Sequence, residues 1–300
     1  MTLIHSYLEL GLIGMARGGQ LSWFKGHFGA ALLAGYFMNQ EHDLPEHVKE
    51  GIVRTCESYR KQYPDWFGPL EPEEPNPRLM EEVISGLKAN TQCLRTSGHG
   101  LALGVLALKA LRERPDLTTP TVVKGLVNML ERTREDTPNR YWGVDNYFTM
   151  TREDVREIPA YSDTLAMARQ AFAELQMIVP GRTLDGKKYF FDGEKTHGIT
   201  HAHALAELER FGYDELVAAG QSNHLIQMHL NRQLPDFMLA SEVKEPPFTS
   251  ILSPAFWAKT YEDPHALKLP YAALALLKRL PKEERAKAEL DTCKLLSILS

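Results

Sequence analysis

Apolar residues recur at helical spacing along most of the chain. Segments 27–38, 45–61, 79–93, 99–113, 119–134, 162–178, 200–210, 213–231 and 270–280 carry them at intervals of three and four, the pattern of helices with a buried face. The opening stretch MTLIHSYLELGLIGMARGG is apolar but includes His5, Glu9 and Arg17, and reads as an amphipathic first helix. Several starts are legible. Asp43 precedes LPEHVKEGIVRTCESY, with Pro45 near a first-turn position where a missing N–H is harmless. Thr119-Pro120 precedes TVVKGLVNMLERT, and Ser162 or Asp163 is placed to cap TLAMARQAFAEL.

Three stretches interrupt the helical pattern. FGPLEPEEPNPR (67–78) is a proline-rich acidic surface loop, and 136–161 is long and aromatic. In 180–198, Asp185-Gly186 sits between two short runs and predicts one small β-hairpin. None has the composition of a flexible linker, so residues 1–300 are expected to form a single helical domain. Segments 25–52, 97–126 and 199–220 share a polar or glycine lead, a histidine, an Ala/Leu-rich helix, a short turn and a second helix. Segment 267–290 keeps the rhythm with Lys268 in the lead. The expected fold class is therefore all-α, a bundle or toroid of repeated helical hairpins with inner and outer helices.

Composition narrows the function classes. Thirty-four Lys+Arg against 39 Asp+Glu give a net charge of −5. Without a basic run, nucleic acid is not an expected partner. No stretch approaches about 18 uninterrupted apolar residues, so no membrane span is expected. The N-terminus lacks the basic region of a signal peptide, and the expected location is cytoplasmic. The three cysteines, Cys56, Cys93 and Cys293, lie far apart and form no CxxC pair, which argues for buried reduced thiols rather than disulfides or a thiolate zinc site.

The eleven histidines are unevenly placed. His27 and His99 each follow a glycine at the start of an apolar helix, and THGITHAH puts His197, His201 and His203 at the start of another. On a continuous turn His197 and His201 share a face. Neutral imidazole is a common metal ligand, and the positive end of a helix favours the neutral form. A preceding glycine lets another backbone or a substrate approach closely. Any one of these histidines, taken singly, also fits a cap or core position; the recurrence of the context favours a shared role for His27, His99 and His201. His224 and His229 follow as outer partners or packed residues, and His5, His42 and His47 read as surface residues. HExxH, a P-loop, GxGxxG after a strand and GxSxG are all missing.

His197-Gly198-Ile199-Thr200-His201 resembles the HGxTH element of the questin oxidase-like family, and the histidine-led helices at His27 and His99 are similar to that family's. Thr249-Ser250-Ile251-Leu252 and Ala266-Leu267-Lys268-Leu269 are similar to its C-terminal Ser/Thr-rich lead and Leu/Lys helix, so the likeness runs in patches over about residues 25–280. The resemblance implies an oxidoreductase of secondary metabolism: an oxygenase that opens an aromatic or quinone-type ring, by C–C cleavage or Baeyer–Villiger-like oxygen insertion. It implies a non-haem iron held by several histidines and a carboxylated lysine. Matched by motif, the metal ligands are His27, His99, His201 and Lys268, with His197 the next candidate; His265 or Lys259 are alternatives at the lysine's place. Lys268 and His197 take the catalytic roles.

Fe(II) suits such ligands, with positions open to molecular oxygen and substrate; another divalent metal is an alternative. A small aromatic substrate wants an apolar pocket, for which Trp142, Tyr147 and Phe191, with Tyr141, Phe148 and Phe190, stand on the two long loops. Three other readings remain open. A metal-dependent hydrolase would use His42-Asp43, the dipeptide of HD-type phosphohydrolases. A non-catalytic repeat protein would bind a partner or apolar ligand. A metal-free oxygenation would use NADPH, without a dinucleotide fingerprint to hold it.

Overall fold

The computed structural model describes residues 3–135, 144, 146–175, 183–184, 187–188, 193–232 and 246–297. Among these it is all-α apart from one small hairpin. The helices are α1 (Leu3–Leu21), α2 (Gly26–Glu41), α3 (Glu46–Gln62), α4 (Pro64–Phe67), α5 (Met80–Asn90), α6 (His99–Glu113), α7 (Pro120–Arg132), α8 (Thr164–Ala173), α9 (Gly193–Arg210), α10 (Asp214–Leu230), α11 (Pro254–Trp257), α12 (His265–Arg279) and α13 (Lys282–Leu296). The hairpin pairs β1 (Thr183–Leu184) with β2 (Lys187–Lys188), antiparallel; Asp185-Gly186, the expected turn, lies outside the described residues.

The four repeat-like segments are four helical hairpins: α2–α3, α6–α7, α9–α10 and α12–α13. Their first helices close a ring, α2 against α6, α6 against α9, α9 against α12 and α12 against α2. The second helices pack outside it, joined by α1 over α2 and α7, α5 over α6 and α7, and α8 over α9 and α10. The inner helices explain the sequence pattern. Every residue from Gly26 to Met38 on α2 is buried, as are Lys195 to Ala206 on α9 and Ala266 to Ala273 on α12. A helix enclosed by neighbours has no solvent face: α2 is apolar or small almost all round, whereas α9 buries polar residues, among them His197, His201 and His203. The amphipathic α3 and α7 lie outside, each with one buried stripe. One continuous core runs from Ile4 on α1 to Leu296 on α13.

Helix starts show where local signals were decisive. Thr119 and Asp163 are the N-cap residues of α7 and α8, with Pro120 in the first turn of α7 and the Asp163 carboxylate accepting from the Ala166 N–H at 2.7 Å. Asp43 is not a cap: it is exposed, and α3 begins after Pro45. Two inner helices begin earlier than their apolar periodicity suggests. α9 starts at Gly193 rather than near residue 200, and α12 at His265 rather than 270. Pro270 lies inside α12, and its missing N–H leaves the Ala266 carbonyl without its usual helical donor. Dense packing around the buried helix outweighs that loss. No helix of the described residues is long and apolar enough to cross a membrane. Cys56 and Cys293 are buried thiols, whereas Cys93 is partly exposed.

Candidate metal centre

The inner helices run side by side with their N-terminal ends together, because the histidines near those ends meet. His27 is the second residue of α2, His99 and His265 are the first of α6 and α12, and His197 lies in the first turns of α9. His27, His99 and His265 each offer a nitrogen within 4.8 Å of the others, and all three are buried. His197 completes the group: its ring centroid is 4.2 Å from that of His99, and its Nε2 is 3.3 Å from His265 Nε2.

Hydrogen bonds fix which nitrogen carries the lone pair. Nδ1–H of His265 donates to the Asp263 carboxylate at 2.7 Å, leaving Nε2 as the nitrogen that faces His197. Nδ1–H of His99 donates to the Thr96 carbonyl, so its Nε2 carries the lone pair. Neither nitrogen of His27 completes a hydrogen bond of ordinary geometry among the described residues, although the Trp23 backbone lies near enough to favour its protonated form slightly. A fully buried imidazole without such a bond demands a reason. A cation supplies one. Two nitrogens bound at about 2.0–2.1 Å to one tetrahedral metal lie about 3.3 Å apart, which matches the His197–His265 spacing.

Electrostatics keep His27 and His265 neutral and therefore able to ligate. Burial pushes the His27 pKa well below its ordinary range, and the nearby Lys268, His265 and His197 push it further. Burial and Lys268 bring His265 down to about 3 despite the opposing Asp263. Asp263 is held near 2: burial would raise it, but its bond to His265 outweighs that. Lys268, one turn along α12 from His265, is 4 % exposed, and burial lowers its ammonium to about 7. The neighbouring positive ends of helices act in the same direction on the imidazoles. Trp23 and Phe24, in the turn between α1 and α2, pack their rings on His27, and Trp23 also lies 5.0 Å from the His99 ring. Phe24 is 49 % exposed, so these two aromatics form the solvent side of the group.

The residues expected from the sequence divide. His27, His99 and His197 are in the group, and Lys268 adjoins it. His201 is not: it lies one turn beyond His197 on α9, its Nδ1 bonds Gln227 Oε1 at 2.9 Å, and its ring neighbours His224 at 5.4 Å. His265 takes its place. Tyr147 does not line a site; it is fully buried, and its hydroxyl accepts the Thr96 N–H at 3.1 Å beneath the turn before His99. Trp142 and Phe191 lie outside the described residues. His42 and Asp43 follow the far end of α2 and join no metal-binding group among the described residues. No family model, curated protein or solved structure matches the chain.

Proposed function

We propose that the protein is a non-haem iron oxygenase acting on a small aromatic or quinone-type molecule. The observation that carries the metal site is the convergence of His27, His99 and His265 from separate inner helices, with His197 beside them. The donor set fits a divalent transition metal: neutral imidazoles, with the outer nitrogens of two of them tied to a carboxylate and a carbonyl. When bound, Fe(II) supplies the one-electron chemistry that lets molecular oxygen react with an organic ring. The questin oxidase-like resemblance supports oxygen chemistry over other uses of such a metal.

The chain's own residues then have distinct tasks. Trp23 and Phe24 offer aromatic faces against which a flat substrate stacks. Lys268 donates a hydrogen bond to a substrate carbonyl or phenol oxygen. The resemblance gives it an alternative role, as a lysine carboxylated by carbon dioxide whose oxygen would complete the ligand set, and the burial that lowers its ammonium favours the neutral amine that this modification needs. C–C cleavage that keeps both oxygen atoms in the product needs no external reductant. Insertion of a single oxygen atom needs two electrons, for which NADPH is the candidate donor. The hydrolase reading loses support because His42-Asp43 stands apart from the metal-binding group. A purely structural role for the histidines leaves the buried His27 nitrogens unexplained.

Elemental analysis of protein purified without chelator tests the site. The expected result is about one iron per chain, lost in His27→Ala and His265→Ala and retained in His42→Ala. Oxygen uptake with hydroxylated quinones then tests the reaction. Failure to bind Fe(II) or Mn(II) added without oxygen would overturn the metal reading. Full iron loading without oxygen uptake on any quinone or phenol would remove the oxygenase assignment alone.

A further inference from the structure

The residues just before His99 adopt an unusual backbone. Thr96, Ser97 and Gly98 have φ of 42°, 53° and 80°, a run in the left-handed region that threonine and serine rarely enter. The Thr96 carbonyl in this turn receives the His99 Nδ1–H, so the shape of the turn sets the direction of the His99 ring. The turn is gripped from several sides. Thr96 Oγ1 donates to the Thr133 carbonyl at 2.7 Å, and Tyr147 accepts the Thr96 N–H. From α10, Gln227 Nε2 donates to the Ser97 carbonyl at 2.9 Å. The other end of the same amide, Oε1, accepts from His201 Nδ1–H at 2.9 Å. The His201 ring lies directly over Gly98, where an added Cβ would come within 2.5 Å of Nδ1.

This arrangement is directional. Because a carbonyl can only accept, the Ser97 bond fixes the Gln227 amide orientation and with it the His201 tautomer. Behind them, His224 Nε2–H donates to the Gly198 carbonyl at 3.1 Å and the Tyr161 hydroxyl donates to His224 Nδ1 at 2.9 Å, bracing α9 against α10. His201 and Gln227 are 1 % and 0 % exposed, so water does not compete for these bonds.

We infer that His201 and Gln227 are positioning residues: they clamp the 96–98 turn and thereby aim His99 at the metal. This rests on the metal centre proposed above. It gives the second histidine of the HGITH element a task distinct from ligation. A partner that orients a ligand in this way is commonly worth 10–100-fold in metal affinity.

Cobalt(II) titration of the whole protein, followed by its visible ligand-field bands, tests the inference. Gln227→Met removes both amide contacts at nearly unchanged length. It should weaken Co(II) binding by about 10–100-fold and change the band positions or intensities. Gly98→Ala, which pushes on the same turn and leaves α10 intact, should do likewise. Asn223→Leu is the control. Asn223 lies one turn earlier on α10, is buried and bonds the Thr91 carbonyl at 2.9 Å, but does not touch the turn. It should keep the wild-type bands and affinity. Wild-type binding and spectra in both Gln227→Met and Gly98→Ala would overturn the inference, as would an equal change in Asn223→Leu. Wild-type protein that takes no Co(II) would instead sink the metal centre, and this inference with it.

Discussion

At the scale of single residues, the two ends of the inner ring are chemically opposite. Around the helix starts imidazoles gather, with burial holding His27 and His265 neutral. Towards the helix ends Lys109, on α6, is buried at 6 % exposure and paired, with Nζ 2.7 Å from Glu207 on α9 and 2.6 Å from the Tyr271 hydroxyl on α12. Glu41, the last residue of α2, is its third partner. A cation is favoured at helix C-termini for the reason that neutral imidazole is favoured at N-termini. Burial would raise the Glu207 pKa, yet its bond to Arg210 and the charge of Lys109 hold it at about 2 against an ordinary value of 4.5. A carboxylate whose folded pKa lies below its unfolded one contributes stability above the unfolded pKa and loses it as pH falls towards the folded one. Glu207→Gln should therefore cost about 1–3 kcal/mol at neutral pH. Its midpoint should also fall less steeply than the wild type's between pH 4.5 and 2. Thermal melts of both proteins across that window check the sign. Equal slopes would remove Glu207 from the acid response.

The elements depend on how closely helices approach. α1 and α2 cross with Gly29 against the backbone of α1: a Cβ there would lie 2.2 Å from the Met15 nitrogen. Backbone cannot give way as a flexible side chain can, so Gly29→Ala should force the helices apart and cost about 2–3 kcal/mol. Urea unfolding measures it, and a change below about 0.5 kcal/mol would show that the crossing yields freely. The effect bears on the site because His27 is two residues away on α2. Legibility in the sequence varied between elements for physical reasons. α6 and α7 followed their periodicity, and α7 its Thr119-Pro120 start. α12 did not, because Pro270 reads as a helix boundary unless packing compensates. That reading left His265 outside a helix, when it belongs with His27 and His99 as another histidine opening an apolar helix. The Asp263-Pro264-His265 start was the signal available: Asp263 caps the His265 N–H at 2.8 Å and also receives its imidazole.

For the whole molecule, the histidines are far apart in sequence, from His27 to His265, and meet because four hairpins close an inner ring. A metal bound there links α2, α6, α9 and α12 and is absent from the unfolded chain. At metal about 100 times above its dissociation constant, binding only to the folded state adds about 2.7 kcal/mol. Chelation should then lower the melting temperature by roughly 5 °C, reversed by Fe(II) and missing in His265→Ala. An unchanged melting temperature in protein shown to carry metal would mean that the site contributes little to holding the ring together.

The all-α class, the hairpin rhythm and the helix-start histidines were legible in the chain, because these depend on periodicity and on chemistry within a few residues. Which histidines share a site was decided only by tertiary structure. Residues His197 and His201 lie on the same helix one turn apart, and the HGITH resemblance favoured His201 as the ligand. The packing of α9 between α6 and α12 turns His197 to His265 and His99, while α10 takes His201 through Gln227. One turn along a helix is about 5.4 Å, enough to carry a side chain from the centre of a site to the turn that supports it.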